Sequence, residues 1–312
     1  GQKTLEYSKE GVPVPGTEQV TAEVVNGQDI VLSIDIDMQQ KLEEALALRV
    51  EEVQGSGGSA MLMDSATGEI YACSSSPTFD ITDLTKIEEG ATNLSSISSS
   101  YEPGSTMKAV TMLAALEEGI VNPDTEYFCP AALKVDDYTI TDSHERGDET
   151  MSATTIIADS SNVGVSLIAR DMGFEKLYEY IQKYQLTETT GVDYPGEAQG
   201  YVSSRDQWSE VQGYNISFGQ GLTTTPIEMI RFYAALANNG TATQPHFLLD
   251  VPTEEEDRTY ATSQITDNQS AIDQLETMMQ ATVDRGTGTD AQIEGYRVVG
   301  KTGTAEIASD QG

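Results

Sequence analysis

The chain has 312 residues, enough for one large domain with a sizeable core or for two domains. A formal net charge of −34 repels nucleic acid, no Lys/Arg cluster offers a local exception, and the acid reads mainly as a solubilising surface. A hydrophobic content of 38% excludes intrinsic disorder, and two distant cysteines (Cys73, Cys129) with two isolated histidines (His144, His246) offer no metal-ligand spacing.

Residues 1 to 29 are polar and rich in Gly, Pro and Val, like the tail of an extended module. Asp29 to Ile34 is strand-like. Asp35 or Asp37 then caps a helix from about Met38 to Val53, whose Leu42, Ala45, Leu46 and Leu48 share one side. The run Gln54-Gly55-Ser56-Gly57-Gly58 stops that helix. A hairpin follows: Ser59–Met63 and Glu69–Cys73 flank a turn at Asp64–Gly68, and Cys73 reads as a buried strand residue. Residues 74 to 100 read as a long surface loop.

Tyr101-Glu102-Pro103-Gly104-Ser105-Thr106-Met107-Lys108 opens a helix. Val110, Leu113, Ala114 and Ile120 repeat at helical spacing until Gly119 and Pro123 end the pattern. Ser105 and Lys108 are then one turn apart on one face, at the positive end of the helix. An N-cap serine beside a solvated lysine is one reading of the pair; a serine nucleophile with a lysine base is the other.

An irregular polar region, including His144, extends to about Gly147. Helices are predicted from Met151 to about Met172, from Phe174 to Gln185, from Pro226 to Ala237 with Thr225 as cap, and from Gln269 to Val283. Within the first of these, Ser160-Ser161-Asn162 reads as a junction between helices. Tyr296–Val299 is strand-like and leads into Gly300-Lys301-Thr302-Gly303-Thr304. Gly295 to Thr302 also fits the pattern of a phosphate-binding loop. That reading fails because Tyr, Arg, Val and Val between the glycines favour a strand, and Gly303 starts a helix poorly. The segment reads instead as a strand facing a pocket: Gly303 admits a substrate backbone, Thr302 and Thr304 offer hydroxyls, and Lys301 offers charge to a carboxylate. Early strands, many helices and a late strand give an α/β (α+β) fold with a largely antiparallel sheet flanked by helices.

Ser-x-x-Lys opening a helix, Ser-x-Asn downstream and Lys-Thr-Gly on a late strand form a combination far more specific than its parts. On these motifs the chain resembles the penicillin-binding transpeptidases, most closely the class B, monofunctional penicillin-binding proteins. The likeness extends through Ile34–Gln39, Met61–Pro77, Phe218-Gly219-Gln220-Gly221, Thr225-Pro226 and Gly286-Thr287-Gly288. It implies a transpeptidase domain over residues 30–312, preceded by the end of a pedestal module over 1–29. It further implies that Ser105 attacks the D-Ala-D-Ala carbonyl of a peptidoglycan stem peptide. The acyl group then passes to an amine of a second stem peptide, and β-lactams acylate the same serine. Within that mechanism Lys108 is the base, Ser160 relays a proton, and Asn162 holds Lys108 and the substrate amide. The N–H groups of Ser105 and Thr304 form the oxyanion hole, and Lys301, Thr302 and Thr304 bind the substrate carboxylate. No cofactor is implied.

Stem peptides, β-lactam antibiotics and unidentified cell-wall synthesis partners are the expected partners. The parent protein is expected at the extracytoplasmic face of the bacterial membrane, held by an N-terminal anchor absent from this soluble stretch. No apolar run is long enough to span a bilayer. The chain starts at Gly1 and stops in mid-pattern at Asp310-Gln311-Gly312, so both ends read as cut. C-terminal strands of the family pattern are then expected to be missing, which leaves an unpaired sheet edge and lower stability and activity than the parent. A D,D-carboxypeptidase, a β-lactamase and a non-catalytic β-lactam sensor on the same scaffold are the alternatives.

Overall fold

Two units organise the chain in the computed structural model, which describes residues 1–255 and 258–304. The first comprises Gly1–Leu32 and Leu248–Thr259. Its strands Gln2–Thr4 and Gln19–Ala22 pair antiparallel, as do Val31–Leu32 and Leu248–Asp250. All four are short; the three from the polar, Gly/Pro-rich first 32 residues are exposed, and Leu248–Asp250 is half-buried.

The second unit, Ser33–Phe247 with Tyr260–Gly312, carries the core. Helix α1 (Ile36–Glu52) is capped by Asp35, whose carboxylate accepts the Met38 N–H at 2.9 Å. It lies along the hairpin of Gly58–Met63 and Ile70–Ser76. Gln39 fastens it there, since its amide both donates to the Cys73 carbonyl (2.9 Å) and accepts the Cys73 N–H (2.8 Å). The 74–100 stretch is less irregular than its composition predicts. The hairpin strand runs on to Ser76, and a short helix, α2 (Ser95–Ser98), buries Ile97 against the hairpin.

Helix α3 (Met107–Glu117) is the axis of the core. Every side chain from Met107 to Leu116 is buried, because α3 is surrounded by α5 (Asn162–Met172), α6 (Phe174–Lys183), α7 (Glu210–Ser217) and α9 (Gln269–Arg285). An all-round apolar helix of this kind is held by packing rather than by amphipathicity. Before α5 comes α4 (Ala153–Ala158), so the stretch predicted helical over 151–172 is two helices that meet at Asp159–Ser161, at the serine-rich junction within it. Helix α8 (Pro226–Ala237) starts where its capping box places it: Thr225 and Glu228 cap each other's backbone N–H, with Pro226 in the first turn.

Two expectations need correction. Residues 124–141 are not irregular: Glu126–Cys129 pairs with Glu149–Ser152, and Ala132–Val135 pairs with Tyr138–Thr141, both antiparallel, and only 142–147 of that region is without regular structure. And the late strand at Tyr296–Thr304 joins no ladder among the described residues. A strand exists only beside a partner strand, and this stretch is tethered by side chains instead. Val299 packs on the core, and Arg297 bonds Gln280 at 2.7 Å. The described strands therefore form antiparallel pairs with helices packed around them, not one continuous sheet. The mixed α+β class and its antiparallel pairing agree with the sequence reading. Ala305 to Gly312, which bear on the expected unpaired edge, lie outside the described residues.

Candidate active site

Ser105 lies in a 3₁₀ turn, Gly104–Thr106, that runs directly into α3. The turn is pinned from behind. Gly104 N–H donates to the Gly219 carbonyl at 3.0 Å, and Tyr233 OH donates to the Thr106 carbonyl at 2.9 Å. Gly219 must be glycine: its φ is +89°, and a Cβ there would sit 2.0 Å from the Gly104 oxygen. The i, i+3 spacing then sets the Lys108 Nζ 2.8 Å from the Ser105 Oγ.

Lys108 is fully buried, with no carboxylate among its hydrogen-bond partners. It donates to the Ser160 carbonyl at 2.5 Å and lies 3.1 Å from the Ser160 Oγ. Burial is the main force that pushes its ammonium well below the usual lysine range. The Lys301 charge adds to that, and Asp142 opposes it. A neutral amine is the form such a pocket favours, and only a neutral amine accepts a proton.

Ser160 occupies the break between α4 and α5 with a left-handed backbone, φ +61°. That conformation costs a non-glycine residue roughly 1–2 kcal/mol. It turns both the carbonyl and the hydroxyl of Ser160 toward Lys108. Ser161 caps α5 by accepting the Gly164 N–H at 2.9 Å. From the opposite side Lys301 Nζ donates to the Ser160 Oγ at 2.9 Å, so both lysines meet on one hydroxyl. Burial lowers Lys301 to about 8.

Ser105, Ser160, Asn162, Thr302, Gly303 and Thr304 line one cleft of about 710 Å³, and Lys108 and Lys301 reach it through Ser160. All eight singled-out residues therefore converge. Two details differ from expectation. Asn162 Nδ2 donates to the Thr141 carbonyl at 2.9 Å, while the bonds of Lys108 go to Ser105 and Ser160. The Cβ side of Gly303 faces the protein, where a methyl would meet Thr106 Cγ2 at 3.0 Å and the Pro103 carbonyl at 3.3 Å. Glycine here lets the segment close onto the Ser105 turn.

Sequence reasoning passed over Thr141, Asp142 and His144, which line the same cleft from the strand end it took for a loop. It also gave no role to Thr287, whose hydroxyl lies 2.6 Å from that of Thr302. The β-branched alternation of Tyr138-Thr139-Ile140-Thr141 was the available signal. Residues 295–304 contain no helix, and the Lys301 ammonium donates to Ser160 and Thr302, which speaks against the phosphate-loop reading.

A family model described as "Penicillin binding protein transpeptidase domain" matches residues 58–312. "Penicillin-binding protein PbpB" of Mycolicibacterium smegmatis is 32% identical over 319 residues, covering 98% of this chain and 49% of the relative. "Peptidoglycan D,D-transpeptidase FtsI" of Escherichia coli is 28% identical over 284 residues, covering 91% and 47%. Among solved structures, penicillin binding protein 3 from Mycobacterium tuberculosis complexed with aztreonam matches with a TM-score of 0.85. It is 28% identical, over 97% of this chain and 73% of that one. The chain spans about half the length of the curated relatives it matches.

Proposed function

Since the chain belongs to the penicillin-binding protein transpeptidase domain family, we propose that it is the catalytic part of a class B, serine-type peptidoglycan D,D-transpeptidase with Ser105 as nucleophile. The observation that carries this is the buried, carboxylate-free Lys108 amine 2.8 Å from the Ser105 hydroxyl. Lys108 takes the Ser105 proton as Oγ adds to the penultimate D-Ala carbonyl. Collapse breaks the peptide C–N bond, and the proton passes through Ser160 to the departing D-Ala amine. The N–H groups of Ser105 and Thr304 stabilise the oxyanion, an interaction worth roughly 3–4 kcal/mol per donor. Charged Lys301 and the Thr302 and Thr304 hydroxyls hold the terminal carboxylate. A stem-peptide amine then takes the acyl group. The same serine is acylated by β-lactams, in keeping with the relative that is complexed with aztreonam.

In this reading residues 1–29 end a pedestal module and 30–312 form the transpeptidase domain, which works on the outer side of the membrane where stem peptides are. Peptide mapping after reaction with penicillin is expected to place the adduct on Ser105, with an acyl-enzyme lifetime of many minutes. An adduct elsewhere overturns the nucleophile assignment, and turnover within seconds points to a β-lactamase.

The two lysines also predict a pH profile. Acylation should rise with pH as Lys108 loses its proton. It should fall again around pH 8 as Lys301 loses the charge that holds the carboxylate, because burial sets its pKa at about 8. Lys301→Arg keeps the charge and should carry the falling limb to higher pH. A wild-type rate that stays level far above pH 8 removes Lys301 from carboxylate binding.

A further inference from the structure

We propose that Asp142, outside every motif, is the positioning residue that holds the Ser160–Asn162 junction in its reactive geometry. The inference rests on the acyl-transfer reading above.

Asp142 follows the Tyr138–Thr141 strand. Its Oδ1 accepts the Val163 N–H at 2.9 Å, and its Oδ2 accepts the Ser161 hydroxyl at 2.9 Å and the Arg146 Nε–H at 2.6 Å. One carboxylate thus grips the residue after Ser160 and the first turn of α5, where a negative charge meets the positive helix end. The Ser161 hydroxyl serves twice, since it donates to Asp142 while accepting the Gly164 N–H. The neighbouring Thr141 carbonyl holds the Asn162 amide. Arg146 completes the frame by donating from Nη1 to the Cys129 and Gly147 carbonyls, each at 2.9 Å.

Such over-determination is what an unfavourable backbone needs in order to persist. Ser160 is left-handed, and both lysines depend on where its hydroxyl and carbonyl point. Burial by itself would raise the Asp142 carboxyl, but the Val163 N–H, Arg146 and Ser161 outweigh it and hold it below the usual carboxylate range. The anion is therefore permanent at working pH, and it helps Lys108 retain its proton. The other titratable groups around Asp142 are Arg146, Cys129, Lys108 and, along a cavity of about 380 Å³, His144, Glu149, Asp159 and Arg285.

The test is the acylation rate of the chain by a fluorescent penicillin across pH, counted per labelled site, with thermal melting alongside. Asp142→Asn keeps the shape but removes the charge and the acceptor that faces Arg146. We expect a rate lower by about 10²-fold, the loss that misplacement of reacting groups by an ångström produces. The rising limb should move to lower pH, because Lys108 loses a nearby anion. Ser161→Ala keeps the anion while cutting the latch, so it should slow acylation with the limb in place. A wild-type rate and an unmoved limb in Asp142→Asn overturn the proposal. So does a lowered melting temperature with an unchanged rate per labelled site. Should Asp142→Asn fail to fold, a wild-type rate in Ser161→Ala overturns it alone. Labelling that persists in Ser105→Ala instead strikes the acyl-transfer reading, whatever the Asp142 variants do.

Discussion

Ser105→Ala is expected to abolish covalent labelling by a fluorescent penicillin while leaving the melting temperature within a few degrees of wild type. In the proposed mechanism the Ser105 hydroxyl alone forms the acyl bond. Ser160 Oγ is shared between two lysines and buried. Cys73 and Cys129 are buried, their thiols pushed up by burial to about 11 and so almost wholly protonated at neutral pH. Structurally the substitution removes one contact, that to Lys108, which keeps its bonds to Ser160. Gel fluorescence and intact mass decide the matter: a labelled Ser105→Ala protein would remove the nucleophile and the mechanism with it.

Lys108→Met should separate activity from stability. Methionine fills much the same volume without an amine, so the core stays packed. Acylation should fall by roughly 10²–10⁴-fold, the contribution of a positioned general base. Stability should hold or rise, because an amine that is charged in the unfolded chain and lies at 0% exposure with no carboxylate partner in the folded one carries a desolvation cost that methionine lacks. Stopped-flow acylation and thermal melting measure the two effects independently. Near-normal acylation excludes Lys108 as the base, and a large loss of stability would show that the amine serves the fold rather than the reaction.

What the sequence could reveal followed how local the determinants are. The α8 start was legible because Thr225 and Pro226 mark a cap and first turn locally, to which the structure adds Glu228. The Ser105–Lys108 pair was legible because three residues of helix bring two side chains together wherever the helix goes. The strands at 126–141 were not. Each has four residues and buries a single side chain, Cys129, Val135 or Ile140, so even the alternation of Tyr138–Thr141 is too short to stand out from the polar background. With those strands went Asp142 and Thr141, whose importance lies wholly in what they touch 19 to 21 residues further on. The junction at Ser160 was readable from its serines, but its left-handed backbone was hidden: serine gives no sign that it will adopt that conformation, and tertiary contacts decide it. The late strand was over-read, since β-branched residues mark a propensity while the partner supplies the ladder.

The meeting of both lysines on Ser160 has a kinetic consequence for how the protein comes into being. The Lys108 link joins residues 52 apart and the Lys301 link joins residues 141 apart, so the second closes nearly half the chain. Contacts so remote along the backbone form late, after nearer ones have reduced the entropy of closure. During refolding from denaturant, helical signal should therefore return first and antibiotic reactivity last, which makes penicillin a clock for the final step of assembly.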